Sequence, residues 1–312
     1  MNKNEVDVLT VLKATATELH LCQRCPRLLA YLKNGRQNAW AVGIRGSNIS
    51  YGKLFHKAIT GAFHASAASP DSPQRAALAE VFQDASSDLN LKERLEKMVR
   101  TYYFNPFLAN NSAKLLDKQI MALAKATDLW VGYLANFLSC IPSLFASPEK
   151  CMGKVFHQPE KTLYATYLYP DGQTLLVSGR YDGLLFNPDA TETVLFEFKC
   201  FESSDVTVEL SQTLVYAWLV FVATSIVPSI KLIYLEDEAP IDVVASDVKT
   251  MMNNLPPLFR VTRQVLEKRL PLPVAADSFL CRDCPYDAQC DKDWGERHAS
   301  KAPSSPVPKT EP

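Results

Sequence analysis

The chain has 312 residues, of which 47% are apolar and 21% charged, and its 33 basic and 34 acidic side chains give a net charge of −1. This apolar fraction excludes a wholly disordered chain. The near-neutral charge excludes a histone-like protein that binds nucleic acid through bulk charge, and leaves a local groove as the way to bind it.

No segment of the sequence is expected to span a membrane. The most apolar run, Leu214–Val227, is 14 residues long, which is the length of a buried core helix. The N-terminus contains acidic residues and no small-residue cleavage site, so it does not resemble a signal peptide. We therefore expect a cytoplasmic protein without a membrane partner, whose eight cysteines suit a metal site better than disulfides.

Helical patterns come first along the chain and strands follow. Helices are predicted over 5–34, 53–65 and 88–140, with an Ala/Ser/Pro-rich surface connection at 66–87. Strands are predicted over 155–169, 174–186 and 193–200, then a helix over 207–223 and a strand over 229–235. Residues 299–312 have the composition of a disordered tail.

This order indicates a single domain over residues 1–298. A helical insertion is expected at about 66–150 and a catalytic core at about 151–240, with a cysteine cluster at 281–290.

Two acids and a lysine are the strongest candidates for chemistry. Strand alternation places Glu197 and Lys199 on one face with Leu195, and the apolar residues Val194, Phe196 and Phe198 on the other. If residues 187–192 form a turn, Asp182 falls almost opposite Glu197, with Cβ atoms about 4.5–5.5 Å apart. Paired carboxylates suit Mg²⁺ or Mn²⁺, and Lys199 can orient a water or offset phosphoryl charge. The alternative is an edge-strand ion pair beside an ordinary surface acid.

Together with their neighbours, these residues resemble the PD-(D/E)XK nuclease superfamily, specifically its RecB-like branch. The residues that carry the resemblance are Gly52, His56, Gly179, Asp182, Glu197, Lys199, Gln212 and Tyr216. The resemblance spans about 25 to 290. It implies an α/β fold with a restriction-endonuclease-like αβββαβ core, a helical insertion and an iron–sulfur staple that joins the two chain ends.

The resemblance also implies roles for single residues. Asp182, Glu197 and Lys199 would be catalytic, with the two acids as metal ligands. His56 would be a further ligand that favours Mn²⁺ over Mg²⁺, and the backbone carbonyl of Phe198 would also face the metal. The DNA-binding residues would be Gln212 and Tyr216, four positions apart on one helical face. Cys200 stands where many relatives have Thr or Ser.

A cluster of cysteines lies near the C-terminus. Cys281, Cys284 and Cys290 form a C-x₂-C-x₅-C run, which leaves a four-ligand site one thiolate short. RecB-like iron–sulfur nucleases carry a cysteine followed by proline early in the chain. The resemblance therefore implies Cys25 as the fourth ligand, with Cys22 as the alternative.

The cofactor held by these thiolates would be a structural [4Fe–4S] cluster, as in AddB-type nucleases and CRISPR-associated RecB-like exonucleases. Zinc is the alternative, because four thiolates bind it well. The remaining cysteines, Cys140, Cys151 and Cys200, are expected to be small buried residues.

The leading hypothesis is a Mg²⁺- or Mn²⁺-dependent deoxyribonuclease, single-strand or end-directed, and an exonuclease rather than an endonuclease. DNA repair, recombination or phage defence, including CRISPR adaptation, would be its setting. Arg24, Arg27, Lys53 and Lys57 would contact the DNA backbone, and Tyr102, Tyr103 and Phe104 would stack on bases. The alternative is a solvated face for the basic residues and an ordinary core position for the aromatic ones.

The alternative function is a nuclease-like structural or DNA-binding subunit of a helicase or ATPase complex, active only with its partner. The sequence contains no G-x-x-x-x-G-K-[ST] motif, so such a motor would be a separately encoded protein.

Overall fold

The computed structural model describes residues 11–34, 56, 60, 69, 71–83, 88–157, 161–199, 206–234, 240–269, 272–273, 281, 284 and 286–294. Within these ranges, two β-sheets and the helices that pack on them form a mixed α/β fold. This architecture is consistent with the restriction-endonuclease-like fold that the resemblance implies.

The N-terminal part contains strand β1 (Leu12–Thr15), helix α1 (Ala16–Arg24) and helix α2 (Pro26–Lys33). Thr15 ends the strand and starts α1, because its Oγ1 accepts the Glu18 N–H at 3.1 Å while Glu18 Oε2 accepts the Thr15 N–H at 2.9 Å. The prediction of helix throughout 5–34 is therefore wrong at 12–15, where the chain pairs with a distant strand instead.

The middle of the chain is helical. Its elements are α3 (Pro73–Phe82), α4 (Asp88–Val99), a π-helical turn (Arg100–Phe104), α5 (Asn105–Asn111), a 3₁₀ turn (Ser112–Lys114), α6 (Asp117–Ser139), α7 (Pro142–Ala146) and α8 (Pro148–Val155). Helix α3 lies inside the predicted surface connection, because its face with Leu78 and Phe82 is buried in the core. Phe104 is also a core residue, 4% exposed, so its predicted stacking on bases is wrong.

The remaining elements are β2 (Thr162–Leu168), β3 (Thr174–Arg180), β4 (Gly183–Asn187), β5 (Glu192–Lys199), α9 (Val206–Thr224), β6 (Ser229–Tyr234), β7 (Ile241–Val243), α10 (Ala245–Met252), α11 (Leu255–Leu266) and α12 (Asp287–Trp294). One sheet has the order β1-β3-β2, in which β1 runs parallel to β3 and β2 antiparallel to it. The other has the order β4-β5-β6-β7, and only β5 and β6 are parallel in it.

The strand prediction needs two corrections. The predicted strand 174–186 is two strands in different sheets, β3 and β4, so four strands occupy 162–199 where the αβββαβ prediction had three. The predicted strand 155–169 begins only at Thr162, since Val155 ends helix α8. The predicted helix over 207–223 and strand over 229–235 are confirmed by α9 and β6.

Two apolar cores lie on opposite sides of β5. Val194, Phe196 and Phe198 belong to the core formed with the helices of 73–155, whereas Leu195 belongs to the core formed with α1, α9 and α11. The predicted alternation of this strand is thereby confirmed. Across the described ranges, no helix combines the length and the apolar character needed to cross a bilayer.

Candidate active site and cysteine cluster

Asp182 lies where the chain leaves one sheet and enters the other. Strands β4 and β5 pair with Gly183 opposite Phe196 and Asn187 opposite Glu192, so the predicted turn at 187–192 is confirmed. The same register, continued by one residue, brings Asp182 opposite Glu197.

Both oxygens of the Asp182 carboxylate have partners. Oδ2 accepts a hydrogen bond from the backbone N–H of Phe198 at 2.9 Å, and Oδ1 lies 3.1 Å from Nδ1 of His56. These two contacts fix the carboxylate at the end of β5. Of the residues that carry the resemblance, Asp182 and His56 are therefore brought together, while Gly52 lies outside the described residues.

Glu197 is a buried acid, only 5% exposed. Its Oε1 accepts a hydrogen bond from Lys199 Nζ at 3.1 Å, but its Oε2 is buried and has no hydrogen-bond partner. Burial raises the pKa of this carboxyl group and the nearby Asp182 raises it further, whereas Lys199 and His56 act in the opposite direction. A buried oxygen without a partner is costly, so this atom is a natural place for a cation.

Lys199 is held by three oxygens. Its Nζ donates to Glu197 Oε1 at 3.1 Å and to Gln212 Oε1 at 2.9 Å, and it lies 3.1 Å from Glu209 Oε2. Burial lowers the pKa of the ammonium group, but Glu197 and Glu209 outweigh that effect, and the pKa is raised overall. The lysine is therefore a fixed positive charge beside the two acids.

Helix α9 supplies the other half of this network. Gln212 Nε2 donates to the hydroxyl of Tyr216 at 3.1 Å, so its carbonyl oxygen is turned toward Lys199. Tyr216 is 6% exposed, and Gln212 is half-buried. Glu209 was missed from the sequence. The signal was there, since Glu209, Gln212 and Tyr216 recur at three and four residues along one helical face.

Gly179 allows α9 to lie close to β3, with Gln212 within reach of Lys199. A Cβ atom at this position would lie 2.7 Å from Leu219 Cδ1 and 2.9 Å from the ring of Tyr216. Strand β3 and α9 therefore touch through the missing side chain of this glycine.

The four predicted cluster cysteines lie in one small apolar group. Cys25, in the break between α1 and α2, shares it with Cys281, Cys284 and Cys290. Burial raises the pKa of the Cys25 thiol, and the neighbouring Cys281 and Cys290 raise it further. Helix α2 also meets α12 and the residue before it through Tyr31, whose ring stacks on Tyr286 at 5.0 Å and whose hydroxyl donates to Asp293 Oδ2 at 2.9 Å.

Cys22 lies elsewhere. It is 1% exposed and packs with Leu29, Val265 and Leu272. Burial raises the pKa of its thiol to about 11, and the neighbouring Thr262 side chain acts in the opposite direction. Of the two N-terminal candidates, it is Cys25 that packs with the C-terminal cysteines.

Arg27 is a buried side chain. It is 8% exposed, its Nε donates to the Leu272 carbonyl at 3.2 Å, and its guanidinium donates to Cys290 Sγ at 3.7 Å. This side chain is part of the cysteine group, so its predicted contact with the DNA backbone is wrong.

The predictions for the remaining cysteines and for two lysines can be compared with the structure only in part. Cys140 is exposed and Cys151 half-buried, so the prediction of burial is wrong for Cys140. Cys200, Lys53 and Lys57 lie outside the described residues.

Neither donor set has the geometry of a finished coordination shell. In the parts of the chain that the structure describes, no three His, Cys, Asp or Glu side chains are grouped so as to hold a metal ion. The donor types nevertheless fit the two groups that the resemblance implies. Buried carboxylate oxygens, one of them unpaired, suit Mg²⁺ or Mn²⁺, and four neighbouring thiols suit iron or zinc.

Comparisons with known proteins support one family. No curated protein matches the sequence. The crystal structure of SSO0001 is similar over 94% of this chain and 89% of its own, with 12% sequence identity and a TM-score of 0.38, which is too low to carry an argument. The sequence model of the PD-(D/E)XK nuclease superfamily matches residues 13–291. Because this match covers most of the chain, the protein belongs to the PD-(D/E)XK nuclease superfamily, which indicates a metal-dependent nuclease.

Proposed function

We propose that this chain hydrolyses phosphodiester bonds of DNA at Asp182, Glu197 and Lys199, as a single-strand or end-directed exonuclease. The observation that carries the proposal is the unpaired, buried Oε2 of Glu197 beside Asp182 and a lysine held by three oxygens. A scaffold gains nothing from such an arrangement, because each of these buried charges costs free energy.

The carboxylates of Asp182 and Glu197 would hold Mg²⁺ or Mn²⁺, with His56 and the Phe198 carbonyl as further ligands. The Phe198 N–H points at Asp182, and in an extended strand the carbonyl of the same residue points to the same side. When bound there, a divalent cation supplies a water of lowered pKa and offsets charge on the phosphoryl oxygens.

Lys199 would act as a positioned positive charge. Its raised pKa keeps the ammonium protonated at neutral pH, so it donates hydrogen bonds and does not act as a base. From the end of β5 it can orient the attacking water or a phosphoryl oxygen, while Glu209 and Gln212 fix where its Nζ lies. In this proposal Gln212 and Tyr216 position the lysine in addition to facing DNA.

Cys25, Cys281, Cys284 and Cys290 would hold a [4Fe–4S] cluster, or zinc as the alternative, with a structural role. Support comes from the shared apolar group and from Arg27, which contributes a positive charge next to Cys290 Sγ. Such a charge lowers the cost of collecting several thiolates.

DNA repair or phage defence, including CRISPR adaptation, remains the proposed setting. Any helicase or ATPase partner would be a separate protein. The competing function, a structural subunit of such a complex, is disfavoured by the polar network around Lys199.

The test is a cleavage assay on single- and double-stranded DNA labelled at either end, with anaerobically purified protein and Mg²⁺ or Mn²⁺. We expect metal-dependent degradation whose label pattern gives the polarity. Lys199→Ala should abolish it, and Lys249→Ala, which changes an exposed lysine of α10, should not. Equal cleavage by wild type and Lys199→Ala would reveal a contaminating nuclease and remove the proposal. Absence of cleavage in folded wild-type protein would favour the structural subunit.

A further inference from the structure

One face of the three-stranded sheet is open to solvent. Along β1, β2 and β3, alternate residues such as Ala14, Ala165 and Val177 point into the core. The residues between them form what we call the outer face: Lys13, Thr15, Thr162, Tyr164, Thr166, Leu168, Thr174, Leu176, Ser178 and Arg180. Tyr164 and Leu168 are 64% and 65% exposed, so a ring and an apolar side chain are accessible on this face.

The outer face carries positively charged and hydroxyl side chains but no acidic ones. It presents two cations, Lys13 and Arg180, together with five Ser and Thr hydroxyls and one tyrosine, and none of its members is Asp or Glu. The Glu18 carboxylate, which accepts the Thr15 N–H, is offset by Lys33 at 2.6 Å. Ammonium, guanidinium and hydroxyl groups are the side-chain donors that bind phosphate oxygens. The face is therefore complementary to a polyanion.

The register places the aromatic ring and a cation near the end of β3 that leads to Asp182. Tyr164 is opposite Ser178, and two residues along, Thr162 is opposite Arg180. Arg180 is the last residue of β3 and lies two residues before Asp182 in the chain. A strand advances about 3.3 Å per residue, so Tyr164 lies within a few nucleotides' length of that end of the sheet.

We propose that the outer face binds the single-stranded DNA that enters the active site, with Tyr164 stacked on a base and Lys13 and Arg180 on phosphates. This inference rests on the proposed function and names the surface that delivers its substrate. A single strand fits better than a duplex, because an exposed tyrosine can stack only on an unpaired base. Open sheets that carry aromatic residues bind single strands in this way.

The experiment measures the Kd of a fluorescent oligodeoxynucleotide in EDTA, so that binding is read without cleavage. Tyr164→Ala should weaken Kd about 5- to 150-fold, the range for loss of one stacked base. Tyr164→Phe, which keeps the ring, should bind like wild type. Lys13→Ala should reduce the slope of log Kd against log salt by about 0.7, the value for one phosphate contact on a single strand. Lys249→Ala is the charge-matched control and should change neither quantity.

A second readout does not depend on variants. An oligonucleotide that carries 5-iododeoxyuridine should, on irradiation, form its cross-link at Tyr164, as mapped by mass spectrometry. Equal Kd values for Tyr164→Ala and wild type, with cross-links only outside the outer face, would overturn the inference. So would wild-type protein that binds no single strand.

Failure of the proposed function gives a different result. If wild-type protein cleaves nothing but the Kd and cross-link patterns hold, the outer face stands and the nuclease does not. If cleavage depends on Lys199 while Tyr164→Ala binds normally, only the outer face is wrong.

Discussion

The two faces of β5 use the same six-residue stretch in opposite ways. On one face Phe196 and Phe198 meet the ring of Trp130 edge-on, at centroid distances of 4.7 and 5.3 Å, and Trp130 is fully buried. On the other face Glu197 and Lys199 bury charges; the lysine is paired with Glu197 and with α9, whereas one oxygen of Glu197 has no hydrogen-bond partner. Packing on the first face stabilises the fold. The charged groups on the second face lower stability, and they are the groups that a catalytic site requires.

This difference teaches how a buried catalytic pair can be tolerated. The apolar face anchors the strand against the helices of 73–155, so the charged face does not have to contribute stability. Variants on the charged face should therefore lower the activity of the folded protein, whereas variants on the apolar face should lower only its stability.

The largest expected effect is on activity. Lys199→Ala should lower the cleavage rate at least about 10²- to 10³-fold, the usual effect of removing one preorganised electrostatic stabiliser. The midpoint of urea unfolding should fall as well, because removal of the lysine leaves the buried carboxylates of Glu197 and Glu209 without their positive partner, so the rate is compared per folded molecule. Lys231→Ala on β6 is the matched control, since that lysine also binds a carboxylate, Asp242, at 2.7 Å. Loss of activity in both variants would contradict the assignment.

The converse variant is on the apolar face. Trp130→Ala should destabilise the protein by about 3–5 kcal/mol, because it leaves a large cavity against Phe196 and Phe198. Urea unfolding measures this loss, and activity per folded molecule should remain. Trp130→Phe, which keeps a ring, should lose much less. If Trp130→Ala is as stable as wild type, the apolar face does not anchor the strand.

A third contrast lies outside β5, between Cys25 and Cys22. Cys25→Ala should lose bound iron or zinc, measured by metal analysis and visible absorption, and should unfold at a lower temperature. Cys22→Ala should keep its metal and lose only about 1 kcal/mol of packing. The opposite pattern would make Cys22 the ligand, and full metal content in both variants would remove the cluster from this group.

A smaller effect is expected where α9 meets the sheet. Gly179→Ala should cost about 1–3 kcal/mol, because the new methyl overlaps Leu219 and Tyr216. It should also lower activity by displacing Tyr216 from Gln212. Gly153→Ala in α8 is the control. No atom lies within 4 Å of its Cβ position, so it should be neutral or stabilise by up to about 1 kcal/mol. Equal stabilities for the two variants would show that α9 can move away from β3.

The smallest expected effect is on the pH dependence of stability, and it comes from a residue outside both faces of β5. Burial lowers the pKa of His157 below its usual value of 6.5, and the positive charge of Lys161 lowers it further. The unfolded chain thus takes up this proton at a higher pH than the folded protein. The stability contributed by neutral His157 is complete above about pH 6.5 and is lost as pH falls through the folded pKa.

We therefore expect the urea midpoint of wild type to drop between about pH 7.5 and pH 5.5 by more than that of His157→Gln. Lys161→Gln should also make the drop smaller than in wild type, but by less than His157→Gln does. Identical pH dependence in wild type and His157→Gln would mean that His157 titrates normally.

Sequence reasoning succeeded where the information was local. The position of Asp182 opposite Glu197 followed from strand alternation and a short turn, and α9 followed from one apolar run. It failed where a residue's surroundings come from far along the chain. Nothing local shows that 12–15 is a strand, since its partner is β3.

Distant parts of the chain also determine the burial of Arg27 and the change from β3 to β4 near Asp182. Arg27 reads as a surface cation, and its burial depends on Leu272 and Cys290, the latter 263 residues away. The region 174–186 has the pattern of one strand because alternation continues through it. The change of sheet appears only in the pairing, since β3 pairs with β1 and β2 whereas β4 pairs with β5. Glu209 is a different case, because its helical spacing to Gln212 was visible in the sequence.

The parallel pairing of β1 with β3 has a consequence for synthesis on the ribosome. Leu12 lies opposite Leu175, so β1 emerges about 160 residues before its partner. At roughly 5–20 residues per second, it waits about 8–30 s. During that time β2 and β3 have not been made, and the N-terminal strand cannot enter a sheet. The residues of β1 are thus translated long before they can be built into the fold, and a pause in translation before β3 should prolong their exposure to chaperones and proteases.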